Sequence, residues 1–216
     1  MIHGCGKIRN SQGMRTFGLI PAAGKSRRMG LAKLLLPLAG ATVLDRVLEA
    51  VRLAGVAEVL VVVAPDAEAL ATVASAAGAR VLRLNADTPD MRATCEHGLT
   101  WLGEHYMPSP DDGWLLLPAD HPTVEPTVIR AMIAHAQTDR SHSIFVPTFQ
   151  GKRGHPTWLR WQHAQAIRTL PLGLGLNAHI RAVANETLEI EWENDEILRD
   201  LDTPGDYAAL LRDLNG

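Results

Sequence analysis

Cysteine is nearly missing from this 216-residue chain. The two that occur, Cys5 and Cys95, stand far apart and form neither a metal spacing nor a redox pair. A disulfide framework is therefore excluded, and a reducing cytoplasm is the expected setting. Long apolar runs are missing too. None approaches the ~18 residues of a membrane-spanning helix, and the longest, Val59–Pro65, has the length of a strand. Nor is there an excess of positive charge, with 21 Lys and Arg against 24 Asp and Glu and a formal net charge of −3. That balance speaks against a nucleic-acid binder whose affinity rests on bulk charge. Any phosphate that the chain grips must be gripped locally.

What is present describes a folded protein. Hydrophobic residues make up 46% and charged residues 21%, so intrinsic disorder is excluded. The length suits one domain with its own core. Residues 1–14 carry Lys7 and Arg9 but no apolar core of a signal peptide. They read as a flexible leader before a domain over 15–216, with Met14 a candidate start.

Strand-like and helix-like segments alternate along the chain. Thr16–Pro21 is a short apolar run expected to form a buried strand. Thr42–Ala54 has apolar residues at 43, 44, 47, 48 and 51, which is helical spacing, and Gly55 closes it. Glu58–Ala64 is apolar on both faces, as parallel sheets require. A helix over Asp66–Ala77, a strand over Ala79–Leu84, a helix over Thr94–Tyr106 and a strand over Trp114–Leu117 follow. Further on come a helix over Pro126–Gln137, strands at Ser143–Pro147 and Pro156–Leu159 around a polar turn, and a helix over Gln162–Leu170. Thr187–Trp192 reads as a strand, and Thr203–Asn215 as a helix whose Thr-Pro-Gly-Asp start has an acid at its third position. This order predicts a doubly wound, Rossmann-like α/β sheet, mostly parallel with an antiparallel excursion late in the chain. In such sheets ligands sit beyond the carboxyl ends of the strands.

The turn after the first strand is rich in small residues and cations: Ala22-Ala23-Gly24-Lys25-Ser26-Arg27-Arg28-Met29-Gly30-Leu31-Ala32-Lys33. Small residues let backbone amides approach an anion, and Arg28 and Lys33 supply fixed charge for phosphate oxygens. Neither common phosphate loop is present: G-x-G-x-x-G is missing, and no Lys follows a Gly as in G-x-x-x-x-G-K-[ST]. A plain surface loop remains the alternative on spacing alone. Asp120, in Leu117-Pro118-Ala119-Asp120-His121-Pro122, lies just past a buried strand, where a carboxylate suits a hard cation such as Mg²⁺. A turn or capping Asp is the competing role.

The stretch Ala22-Ala23-Gly24-x-Ser26-x-Arg28-Met29-Gly30-x-x-Lys33 resembles the signature loop of the MobA-like NTP transferases, which include the molybdenum-cofactor cytidylyl- and guanylyltransferases. The resemblance runs from about Thr16 to Tyr207. It implies an enzyme that moves a nucleotide from an NTP onto a phosphate-bearing small molecule, molybdopterin first, and releases pyrophosphate. It implies nucleotide binding by Ala22, Ala23, Gly24, Ser26, Arg28 and Lys33, with Arg28, Lys33 and Asp120 catalytic. Asp120 is similar to the family's metal-binding Asp-x-Pro element. Asp202, in Asp200-Leu201-Asp202-Thr203-Pro204-Gly205-Asp206, matches a second acid, which makes Asp120 and Asp202 the expected Mg²⁺ ligands. Since Asp202 precedes a Thr-Pro helix start, capping is its alternative role.

Gly154-His155-Pro156 resembles the family's Gly-His-Pro turn and puts His155 on the acceptor side, although a histidine that merely fills a turn is equally compatible. Arg92 is an added cation in the region 85–98, where Met91 and Thr94-Cys95 replace the Gly and Ser of relatives. It is expected on the acceptor side, and this departure leaves the acceptor open. The guanylyl branch usually has Gly-Gly where this chain has Ala22-Ala23, which points to CTP over GTP. A molybdopterin product would pass to a molybdoenzyme of the xanthine-dehydrogenase type. Two alternatives stand: a sugar-1-phosphate or other alcohol-phosphate nucleotidyltransferase, and a nucleotide-binding module without catalysis. No nucleic-acid or membrane partner is expected.

Overall fold

The computed structural model describes residues 13–24, 33–171 and 173–215. The first strand, β1 (Thr16–Ala22), is buried at every position except Pro21. A small antiparallel pair follows, β2 (Pro37–Leu38) and β3 (Ala41–Thr42). Helix α1 (Val43–Leu53) starts where the sequence suggests, because Thr42 and Asp45 cap each other's backbone amides at 3.1 Å. Gly55, at φ 79°, ends it. Next come β4 (Glu58–Val63), α2 (Glu68–Ala76) and β5 (Arg80–Arg83).

Helix α3 (Met91–Tyr106) begins three residues ahead of the sequence expectation. The reason is local: the Asp90 side chain accepts from the Ala93 amide at 2.8 Å and caps the earlier turn. Then follow β6 (Gly113–Leu116), α4 (Pro126–Thr138) and β7 (Ile144–Phe149). The polar turn expected after β7 holds a strand of its own, β8 (Lys152–Arg153), paired back onto β7. Gln150 and Gly151 both have positive φ, 50° and 72°, as a two-residue hairpin turn requires. The chain ends with β9 (Thr157–Arg160), α5 (His163–Arg168), α6 (Leu176–Ala182), β10 (Thr187–Glu191) and α7 (Pro204–Asn215). Helix α6 was not expected from the sequence.

Eight strands form one sheet in the order β10-β7-β9-β6-β1-β4-β5, with β8 beside β7. The pairs β1/β4, β1/β6, β4/β5 and β7/β10 are parallel. Strand β9 runs antiparallel to both β6 and β7. This is the predicted mostly parallel, mixed, doubly wound sheet.

Side chains along β1 and β4 alternate between two cores. Ile20, Ala22, Val61 and Val63 join the core under α1, α2, α4 and α7. Phe17, Leu19, Ala23, Leu60 and Val62 join the core under α3, α5 and α6. Each fully buried Leu or Val contributes roughly 1.5–3 kcal/mol, so a sheet covered on both faces supplies a firm platform for the loops at its carboxyl edge. No described helix is long and apolar enough to cross a membrane.

Candidate active site

Three loops meet at that carboxyl edge. The first leaves β1, and Lys33 opens the short 3-10 turn Lys33–Leu35. The second leaves β6. Its path is fixed by Leu117 N–H donating to Leu19 O (3.2 Å) and His121 N–H donating to Pro118 O (3.3 Å). The third leads into α7. It is sewn to the second, since Leu201 N–H donates to Asp120 O at 2.9 Å and the Thr123 hydroxyl donates to Glu196 O at 2.7 Å.

At their junction Lys33 Nζ donates to Asp120 Oδ2 at 2.8 Å and to Asp202 Oδ1 at 3.0 Å. The three residues are separated by 87 and 169 positions in the chain, so tertiary structure alone brings them together. The lysine side chain is largely buried, at 13% exposure. Burial lowers its pKa, but the hydrogen bonds and charges of Asp120 and Asp202 outweigh burial and raise it. It is therefore an ammonium at neutral pH. Among the described residues one ammonium thus faces two acids, and both acids reach within 3.0 Å of a single point.

Asp202 is not the cap of α7. Thr203 and Asp206 do that work: Asp206 Oδ2 accepts from the Thr203 amide (2.7 Å) and the Asp202 amide (3.1 Å), and the Thr203 hydroxyl accepts from the Asp206 amide (3.2 Å). The Asp202 carboxylate is thereby turned to Lys33.

The donor set fits a Mg²⁺ ion. Both acids are hard oxygen ligands, and Mg²⁺ is held by one or two carboxylates with water and phosphate oxygens completing its shell. Among the described residues no group of three or more His, Cys, Asp or Glu could hold a metal, so an all-protein cage is not built here.

Two imidazoles border Asp120. His121 Nε2 lies 4.0 Å from Asp120 Oδ1, and the His121 and His155 rings meet edge to face with centroids 4.7 Å apart. Burial pushes the His155 pKa down to about 3, and the neighbouring His121 adds to that against the pull of Asp120. Burial also lowers the His121 pKa, with Asp120, Asp200 and Asp202 opposing. Both rings are neutral at pH 7, and the Nδ1 of each is buried without a partner among the described residues. His155 is held in place by its amide, which donates to Ile197 O at 2.8 Å. The contact of His121 with His155 joins residues too far apart in the chain for spacing to show.

The remaining expected residues are placed as follows. Ser26 and Arg28 lie outside the described residues. Gly24 is exposed, whereas Ala22 and Ala23 are 5% and 7% exposed and their methyls pack in the two opposite cores. Neither methyl is thus exposed to narrow a base pocket, so the preference for CTP over GTP expected from Ala22-Ala23 gains nothing from them. Arg92 is 6% exposed and engaged with Glu96 and backbone carbonyls near α5. A charge so enclosed is not presented to a phosphate.

A doubly wound sheet whose carboxyl edge joins a lysine from the loop after β1 to two acids from distant loops defines a nucleotidyltransferase. The chain belongs to the family of the MobA-like NTP transferase domain, whose model matches residues 18–189. A search of curated protein sequences finds no match to it. Among solved structures it is similar to Rv0371c from Mycobacterium tuberculosis H37Rv, at 25% identity and TM-score 0.78 over 92% of this chain and 99% of that one. A structure of that protein complexed with manganese is 24% identical, with TM-score 0.70 over 92% and 99%. A nucleotidyl transferase from Methanothermobacter thermautotroptrophicus is 23% identical, with TM-score 0.76 over 94% and 99%.

Proposed function

We propose that this protein is a Mg²⁺-dependent nucleotidyltransferase that moves CMP from CTP onto a phosphate-bearing small molecule, molybdopterin first. The observation that carries the reading is Lys33 held between Asp120 and Asp202. An acceptor phosphate oxygen attacks the α-phosphorus, the new P–O bond forms, the bond to the β-phosphate breaks, and pyrophosphate leaves. Positioning and charge neutralisation carry such a step. Lys33 and Arg28 balance charge on the reacting phosphate and the departing pyrophosphate. Amides of Ala23, Gly24 and Ser26 cradle the phosphates. Asp120 and Asp202 would hold Mg²⁺, which supplies further charge neutralisation when bound. No general base is needed, since a phosphate monoester is already anionic near pH 7. His155 borders the acceptor as a neutral ring.

Support for a divalent ion comes from the donor set and from the manganese complex of the mycobacterial relative. Support for CTP comes from a fold neighbour described as a 4-diphosphocytidyl-2C-methyl-D-erythritol synthase. The product of a molybdopterin reaction would pass to a molybdoenzyme, in the cytoplasm.

The test is pyrophosphate release from each of the four NTPs, with and without Mg²⁺, offered molybdopterin or sugar 1-phosphates. Release with CTP, Mg²⁺ and molybdopterin is the expected result. Release with a sugar 1-phosphate alone would move the acceptor, and NTP binding without release under any acceptor would overturn catalysis.

A further inference from the structure

Arg92 is a buried cation whose charge the reaction above does not use. It sits in the first turn of α3 at 6% exposure. Its Nη1 donates to Leu170 O at 2.7 Å and reaches Pro171 O at 3.4 Å, 78 and 79 residues further along the chain. The same nitrogen lies 3.2 Å from Glu96 Oε1, one helical turn on, which balances the charge. Pro171 O also accepts from the Leu174 amide at 3.2 Å. The turn that leads from α5 to α6 therefore hangs from a carbonyl that Arg92 holds.

The place of this tether gives it meaning. Helix α3 follows β5 and begins at the carboxyl edge. Helix α5 follows β9, which runs antiparallel to β6, so α5 ends at that same edge. Ala23 of the glycine turn, Cys95 of α3, Ile167 of α5 and Leu176 of α6 share one apolar core. Arg92 thus fastens the support of the glycine turn to a turn on the β9–β7 side of the site. With the triphosphate at the β1–β6 junction, that side is left for the acceptor.

We infer that Arg92 is a positioning residue that fixes the turn around Leu174 as the acceptor-side wall, for an acceptor whose non-phosphate part offers apolar surface. This inference rests on the proposed nucleotidyl transfer. Leu174, in that turn, is 43% exposed, and Met91, next to Arg92 in the chain, is 44% exposed. Apolar surface of an acceptor laid against Leu174 would be removed from water. Arginine suits the tether because its guanidinium keeps its charge when buried, which a lysine ammonium does less well.

The experiment uses the full chain and the variants Arg92→Met, Arg92→Lys and Leu174→Ser. KM is measured separately for CTP and for molybdopterin, and amide hydrogen exchange is followed at Leu174. Arg92→Met is expected to raise the molybdopterin KM about tenfold while the CTP KM stays within about twofold, with Arg92→Lys in between. Leu174→Ser is expected to raise the molybdopterin KM alone, and the Leu174 amide is expected to exchange faster in both Arg92 variants. Parallel rises of both KM values, or an unchanged Leu174 amide, would overturn the inference. If the wild-type chain releases no pyrophosphate from CTP and molybdopterin, the functional reading fails, and the exchange measurement still decides whether the tether exists.

Discussion

Lys33 Nζ stands 2.8 Å from Asp120 Oδ2 although 87 residues separate them. That contact joins the end of the β1 turn to the end of the β6 loop and places one fixed positive charge where phosphate charge would develop. Removing a preorganised charged donor of this kind costs about a hundred- to a thousandfold in turnover. Lys33→Ala is expected to lose that much pyrophosphate release while circular dichroism stays that of the folded protein. Full activity in the variant would remove Lys33 from the mechanism.

Asp202 and Thr203 are neighbours with separable roles. The Asp202 carboxylate faces Lys33, and Thr203 with Asp206 caps α7. Asp202→Asn should therefore lower turnover by about a hundredfold with little change in urea midpoint. Thr203→Ala should cost about 1 kcal/mol of stability, the usual loss of a cap, and leave turnover near wild type. If Asp202→Asn instead loses stability and keeps activity, the acid is structural.

Much of this was legible in the chain because the informative signals are local. The two-sided apolar run of β4, the cap at Thr42 and Asp45 and the small-residue turn after β1 are all set by residues a few positions apart. The convergence of Lys33, Asp120 and Asp202 was reached through the family resemblance, since no period or spacing connects positions so distant. What escaped has the same cause. Helix α6 is only seven residues long and follows a glycine-rich turn, so it offers too little periodicity to read. The sequence shows Arg92 only as an added cation, because its carbonyl partners at Leu170 and Pro171 are set by the packing of α3 against α5. The polar cluster of Ser143, His163, His179 and Glu186 is likewise assembled from four separate segments.

That cluster sets an acid limit to stability. His163 Nε2 and the Ser143 hydroxyl are 2.7 Å apart, His163 Nδ1 and His179 Nε2 are 3.0 Å apart, and the Ser143 hydroxyl donates to Glu186 at 2.6 Å. Burial pushes the His163 pKa down to about 4, with His179 adding to the shift and Glu186 opposing it. Burial lowers His179 as well, against Glu186. In the unfolded chain these rings titrate near 6.5. Below that value the unfolded state takes up protons that the folded state refuses, so stability present above pH 6.5 is lost as pH falls toward 4. His121 and His155 act in the same direction. The melting temperature is expected to drop across pH 6.5 to 4, and His163→Gln to flatten that slope. An identical slope in the variant would sink this account.

Gly154 makes the last case, because there backbone meets backbone. A Cβ at this position would lie 2.5 Å from Ile197 O, a contact that no rotamer change relieves. The same carbonyl accepts the His155 amide at 2.8 Å, and the segment after it leads through Leu201 to Asp202. Gly154→Ala must push the turn and that segment apart, which should cost roughly 1–3 kcal/mol in urea unfolding, the usual range for overpacking. The push reaches the site at two points, the His155 ring and the Asp202 loop, so turnover should fall as well, although residue 154 touches neither Lys33 nor Asp120. A variant with wild-type stability and turnover would mean that the Gly-His-Pro turn is not braced against the Asp202 loop.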